Sequence, residues 1–238
     1  MIINGHYFLY IAYLFGMKKE ENLPRKWEIL FTIPNFNTAG SGKALLNIAS
    51  RLDSKYFEPH IACLHDKGEL FNEVKKSGIP IHVFQFTAHM EKRIAGFIQC
   101  WGISRYFKKI NPHLIHSFHY APDYSEALAA RMAGVPWIYT KKNMNWGGKS
   151  KNGWKLRTRL AHHVICQNRS MLDLFFKDSK KTSMIPRGID IKEFKMQPPN
   201  SDLLTQLRIA SNDKVIITVA NLAPVKGIEL LLESFEIL

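Results

Sequence analysis

Three stretches of this sequence carry residue types whose spacing suits chemistry on an anion or a sugar. In residues 221–227 a proline turn runs into Lys226-Gly227, and Ile228, Leu231, Leu232 and Phe235 follow at helical spacing. Backbone N–H groups at a helix start, the helix dipole and one ammonium can converge there, and a diphosphate suits such a place. In residues 35–43 the run Gly40-Ser41-Gly42-Lys43 follows an apolar strand pattern, so the backbone can come close to a ligand at a helix start. It is not a P-loop, because Asn37 and Ala44 occupy positions that need glycine and a hydroxyl residue. The dinucleotide fingerprint fails at Leu45, which stands at the third glycine position. His116 and His119 flank the end of a short strand, where an imidazole can exchange hydrogen bonds with a sugar or phosphate. Two histidines three apart lack the further ligands of a metal centre, so no metal is expected. Each feature also has an ordinary structural account: a solvated turn lysine, a tight turn without a ligand, a core histidine.

A fourth stretch concerns a surface. Residues 127–172 contain no acidic side chain, while Lys141, Lys142, Lys149, Lys151, Lys155 and Arg157 accumulate among Trp146 and Trp154. Basic and aromatic residues together suit an anionic phospholipid surface or an acceptor. They also suit single-stranded nucleic acid, or a solvated basic loop beside core tryptophans.

The elements that must position these residues alternate. Strand patterns at 29–33, 60–64, 79–84, 114–116, 136–140, 164–166 and 182–185 are separated by helical patterns around 45–52, 70–77, 94–110, 125–132 and 170–177. Such alternation predicts an α/β fold, a doubly wound parallel sheet covered on both faces. Residues 186–200, ending in Pro198-Pro199, read as a linker, and Val215 to Val219 reads as a buried strand opening another βα unit.

Composition sets the bounds. The 238 residues, 46% hydrophobic, allow a real core, and the formal charge of +13 implies an acidic partner without choosing one. Cys63, Cys100 and Cys166 are odd in number and lack a C-x-x-C pair, which argues against a disulfide framework or zinc and fits a reducing cytoplasm. The apolar run 7–17 is too short to span a bilayer as a helix and has no basic residue before it, so it does not read as a signal peptide.

Taken in order, five segments resemble the family-4 glycosyltransferases, retaining enzymes of the GT-B type with two Rossmann-like domains. They are Gly40-Ser41-Gly42, residues 112–119, residues 129–136, Ile185-Pro186-Arg187-Gly188-Ile189-Asp190 with Phe194, and residues 219–227. The resemblance implies an N-terminal apolar extension over 1–27, an acceptor-binding domain over 28–197, a linker over 198–212, and at 213–238 the first strand and helix of a donor-binding domain. It implies that Lys226 and Gly227 contact the donor diphosphate, that Gly40, Ser41 and Gly42 approach the phosphates or the transferred sugar, and that a histidine near the fourth strand lies by the reacting carbon. The family pattern places that histidine at Phe118, so His119 is the first candidate and His116 the second. Asn221 stands where many members carry an arginine that assists the lysine.

The function so implied is transfer of a sugar from a nucleotide-sugar donor to a saccharide or lipid-linked acceptor, as in cell-surface polysaccharide synthesis. The nucleotide sugar is then a co-substrate, no cofactor is required, nucleic acid is disfavoured, and the protein works in the cytoplasm or on the inner face of the membrane. Because the segments that complete a donor domain are not among these residues, the chain as given is expected to be incomplete for catalysis. The alternative is a non-catalytic basic module that binds anionic membrane or nucleic acid.

Overall fold

The computed structural model describes residues 26–37, 39–142, 144, 151–177, 179–192, 194–210, 212–220 and 222–237. The apolar run 7–17, Trp146, Lys149 and Asn221 therefore lie outside the described residues. The chain divides into two units, Met1–Gly188 and Ile189–Leu238.

The first unit contains β1 (Trp27–Thr32), α1 (Ala39–Ser50), β2 (Phe57–Cys63), α2 (Phe71–Lys76) and β3 (Ile81–Val83). It continues through α3 (Arg93–Ile110), β4 (Leu114–Ser117), α4 (Ser125–Ala133), β5 (Trp137–Lys141), α5 (Lys151–Leu160), β6 (His163–Cys166), α6 (Arg169–Phe176) and β7 (Thr182–Met184). All seven strands run parallel in the order β3-β2-β1-β4-β5-β6-β7. The doubly wound sheet is thus present.

Side chains alternate across it. Ile29, Phe31, Ile138 and Ile165 pack with Leu45, Leu46, Phe71 and Val74 of α1 and α2. Leu30, Trp137, Tyr139, Val164 and Cys166 pack with Cys100, Ile103 and Phe107 of α3, Ala129 and Ala130 of α4, and Met171 and Phe176 of α6. Two separate apolar layers on one sheet explain why β1, β4, β5 and β6 read as continuous apolar runs. Cys63, Cys100 and Cys166 are buried free thiols. Helix ends follow local chemistry: Gly134 closes α4 at φ 77°, a left-handed turn that a side chain resists, and Asn168 caps α6 by accepting from Met171 N–H at 2.8 Å.

Helix α5 has no counterpart in the sequence reading. Its inward positions are Trp154 and Arg157, so one of the two residues marking its buried face is an arginine. Apolar periodicity cannot find such a helix.

The second unit holds α7 (Ser201–Gln206), a 3-10 turn over Pro224–Lys226 and α8 (Ile228–Glu236). The strand expected at 215–219 is not seen among the described residues: the segment pairs with none of them, and Ile217 and Val219 are 82% and 91% exposed. A strand needs a neighbour to satisfy its backbone and a layer to cover its side chains, and the described residues of this unit offer neither. Among the described residues no helix is long and apolar enough to cross a membrane.

Candidate functional site

The strand order reverses between β1 and β4, and the carboxyl ends of those strands flank the crevice where ligands settle in open parallel sheets. The chemistry-bearing residues gather at this point.

Three polar side chains form its floor. Thr32, the last residue of β1, donates its hydroxyl to Glu126 Oε1 at 2.5 Å, and Ser117, the last of β4, donates to Glu126 Oε2 at 2.8 Å. Glu126 lies in the first turn of α4 and is fully buried. Burial pushes its carboxyl above the ordinary carboxylate range, while the Arg157 guanidinium and the two hydroxyls pull the other way.

Arg157 reaches in from α5, also fully buried, with its guanidinium over the rings of Trp137 and Tyr139 at 4.7 and 5.0 Å. It donates to the carbonyls of Asp123 at 2.6 Å and His119 at 2.8 Å, and to Ser117 Oγ at 3.3 Å. One arginine therefore holds the loop that leaves β4. The α5 backbone lies so close to this loop that a Cβ on Gly153 would stand 2.3 Å from the Pro122 carbonyl oxygen.

His119 rides on that loop and lines a cleft of about 710 Å³ with Thr87, His89, Glu91, Asp123 and Tyr124. Burial, aided by the positive charges of Arg157 and Lys142, lowers its pKa to about 3. At neutral pH it is an uncharged imidazole, able to donate or accept a hydrogen bond. Its Nδ1 is buried, 3.9 Å from Glu126 Oε2, and has no hydrogen-bond partner among the described residues. His116, the second candidate, is a core residue: it is 1% exposed, packs on Phe31 and Phe118, and shares a 2.8 Å hydrogen bond with Thr140 Oγ1. Position 116 faces inward on a strand covered on both sides, so this histidine does not reach the cleft.

The glycine turn divides in the same way. Gly40 and Ser41 lie in the first turn of α1, where backbone N–H groups lack partners within the helix. Gly40 has open space at its Cβ position, whereas a Cβ on Gly42 would meet Leu70 and Phe36 at 2.8 and 2.9 Å. Gly40 leaves room for a ligand, and Gly42 is a packing residue.

Lys142 joins the glycine turn to the histidine loop, donating to Ser41 Oγ at 3.1 Å and to the Phe118 carbonyl. Burial, with Arg187 and Arg157 nearby, lowers its pKa to about 8. Arg187 is steadied by Gln167, whose side-chain oxygen, with the amide turned to accept, stands 2.6 Å from Nε. Lys142 thus puts a cation at the glycine turn, with the Arg187 charge near enough to act on it.

Several expected surface residues are not on the surface. Lys141 is fully buried, with its ammonium 4.3 Å from the Phe175 ring centre and also over Tyr120 and Trp154. Trp154 and Arg157 are buried as well. A basic stretch alternating into a strand and a helix must turn some cations inward, and here aromatic faces and carbonyls receive them. Lys151 and Lys155 are exposed and line a second groove of about 590 Å³ between α5 and α6.

In the second unit Lys226 is exposed at the end of the 3-10 turn, and Gly227, at φ 63°, is the N-cap residue before α8. The local arrangement is the turn-to-helix start that the sequence predicted. Glu126 carries no signal in the sequence, because its partners are distant in the chain, and Lys142, expected on a membrane or acceptor surface, instead contacts the glycine turn. Among the described residues no group of three His, Cys, Asp or Glu is placed to hold a metal ion.

The family model described as Glycosyltransferase Family 4 matches residues 38–193. No curated protein matches the chain. Among solved structures, a glycosyltransferase from Rickettsia africae ESF-5 matches with a TM-score of 0.68 at 19% identity, over 89% of this chain and 57% of that one. Anabaena Alr3699/HepE in complex with UDP matches with a TM-score of 0.69 at 20% identity, over 87% of this chain and 57% of that one. The same protein in complex with UDP-glucose matches with a TM-score of 0.68. The chain thus spans 57% of the length of these structures.

Proposed function

The chain belongs to glycosyltransferase family 4, and from that premise we propose that it contributes the acceptor side of an enzyme transferring a sugar from a nucleotide-sugar donor. The observation that carries this reading is Lys142 bridging Ser41, next to the open Gly40 position, and the Phe118 carbonyl of the loop that bears His119, at the sheet's switch point. The UDP and UDP-glucose complexes of the Anabaena protein support a nucleotide diphosphate as the donor's leaving group.

In the proposed reaction the bond between the anomeric carbon and the diphosphate oxygen breaks. The acceptor oxygen bonds to that carbon with retention, and the acceptor's proton leaves on the diphosphate. Lys142, with Arg187 nearby, stabilises negative charge as it develops on the leaving group. Uncharged His119 orients a hydroxyl of the transferred sugar. The cleft takes the acceptor, a saccharide or a lipid-linked saccharide reached from the inner membrane face, in a cell-surface polysaccharide pathway. This chemistry draws its positive charge from side chains and asks for no cofactor.

The test is transfer of labelled sugar from a panel of nucleotide sugars to membrane lipid extracts by the protein and its Lys142→Ala and Lys226→Ala variants. Transfer that both variants lose supports the reading. Donor binding that neither substitution disturbs would refute it in favour of a non-catalytic binding module.

A further inference from the structure

Helix α3 has large apolar side chains on two opposite sides. Its buried side is Gly96, Cys100, Ile103, Ser104 and Phe107. The opposite stripe, at positions i, i+3, i+4 and i+7, is Ile94, Phe97, Ile98 and Trp101, which are 80%, 55%, 61% and 54% exposed. At about 100° per residue Arg105, Lys108 and Lys109 continue the same stripe, all exposed. Lys92 and Arg93 precede it, and residues 92–110 contain no acidic side chain.

Four contiguous large apolar residues on one helix face mark a binding surface. The cations decide what binds. Apolar anchors that include Phe and Trp, followed along one stripe by arginine and lysine, match the two layers of an anionic lipid interface: the acyl boundary and the phosphates above it. Arg105 already lies over the Trp101 ring at 5.2 Å, so cation and aromatic present together. A partner helix would use the apolar half and leave the basic half unmatched, whereas the chain's charge of +13 favours an anionic surface throughout.

We propose that the outer face of α3 seats this protein on an anionic phospholipid bilayer, with Ile94, Phe97, Ile98 and Trp101 in the interface and Arg105, Lys108 and Lys109 on lipid phosphates. This surface differs from the 141–157 segment that the sequence favoured. Its placement has a consequence that rests on the transfer reading. His89, Met90 and Glu91 line the His119 cleft and directly precede α3, so a membrane-seated helix brings the cleft rim to the lipid surface.

The experiment is flotation of the protein with vesicles of phosphatidylcholine alone or of phosphatidylcholine mixed equally with phosphatidylglycerol, without donor. Wild type should float with the mixed vesicles, and Phe97→Ser/Trp101→Ser should lose at least about tenfold in bound fraction with unchanged melting temperature. Lys151→Glu/Lys155→Glu, altering exposed cations elsewhere, should retain most binding. Absence of wild-type flotation overturns the proposal, as does binding that the α3 variant keeps and the α5 variant loses. Self-association of wild type abolished by the α3 variant, without vesicle binding, overturns it in favour of a second copy as occupant. Because no sugar donor is present, these outcomes are independent of whether the protein transfers sugar.

Discussion

Lys142 and Ser41 lie 101 residues apart in the chain and meet at 3.1 Å, ammonium to hydroxyl, across the carboxyl ends of β1, β4 and β5. The contact fixes a cation at the start of α1, where an incoming phosphate would find both the charge and unpaired backbone N–H groups. Replacing Lys142 with alanine should weaken donor binding by about 1.5–3 kcal/mol, the value of a hydrogen bond to a charged group. Calorimetric titration with the preferred nucleotide sugar measures this, and an unchanged Kd would remove Lys142 from the site.

Donor affinity should also depend on pH through this residue. With its pKa lowered to about 8, the Lys142 ammonium is lost as pH rises through 8, and affinity should fall there rather than near 10. Stability should move the opposite way. The unfolded chain binds the proton more tightly, so between about pH 8 and the ordinary lysine value Lys142 contributes a stability gain with rising pH. Titrations of binding and of urea midpoint over this window should diverge in wild type and run parallel in Lys142→Met.

Acid should unfold the protein partly through histidines. Burial holds His116 and His119 at about 3, against an unfolded value near 6.5. The unfolded state then binds more protons between those values, so stability is lost as pH falls from about 6.5 towards 3. His116→Gln should flatten that acid-side decline in the melting temperature. His119→Asn should lower kcat, and the wild-type rate should show no titration of His119 between pH 5 and 8.

Glu126 and Arg157 are linked in the core through the Ser117 hydroxyl, and the guanidinium favours the carboxylate form that burial disfavours. Arg157→Met should cost about 3–5 kcal/mol by leaving Glu126 buried alone, and the double variant with Glu126→Gln should recover part of that loss. Additive costs in urea unfolding would show that the two do not interact.

Gly153→Ala should act on the site through the backbone. Its Cβ would stand 2.3 Å from the Pro122 carbonyl oxygen, so α5 and the 121–124 loop must separate, moving the cleft wall. We expect a cost of about 1–3 kcal/mol with a raised acceptor KM, whereas Gly40→Ala, where space is open, should leave stability nearly unchanged and weaken donor binding.

Much of the architecture was legible without coordinates. Seven strand patterns and the helices between them fell within a few residues of their observed bounds, because a parallel sheet covered on both faces forces apolar runs into each strand and apolar spacing onto each helix. The exceptions are instructive. Helix α5 hid because Arg157 marks its inner face, and the 215–219 run read as a strand because local sequence reports apolarity and not the neighbour that a strand requires.

By itself the sequence determined the element order, the family motifs, the glycine turn and the overall positive charge, all properties of residues close in the chain or of their sum. Only the tertiary structure decided which charges meet. It turned Lys141 and Arg157 inward, set His116 in the core and His119 on the cleft, brought Lys142 to Ser41, and left the apolar stripe of α3 facing outward. Those outcomes depend on burial and on contacts between strands distant in sequence, where desolvation and a single well-placed partner determine whether a cation is core, ligand or surface.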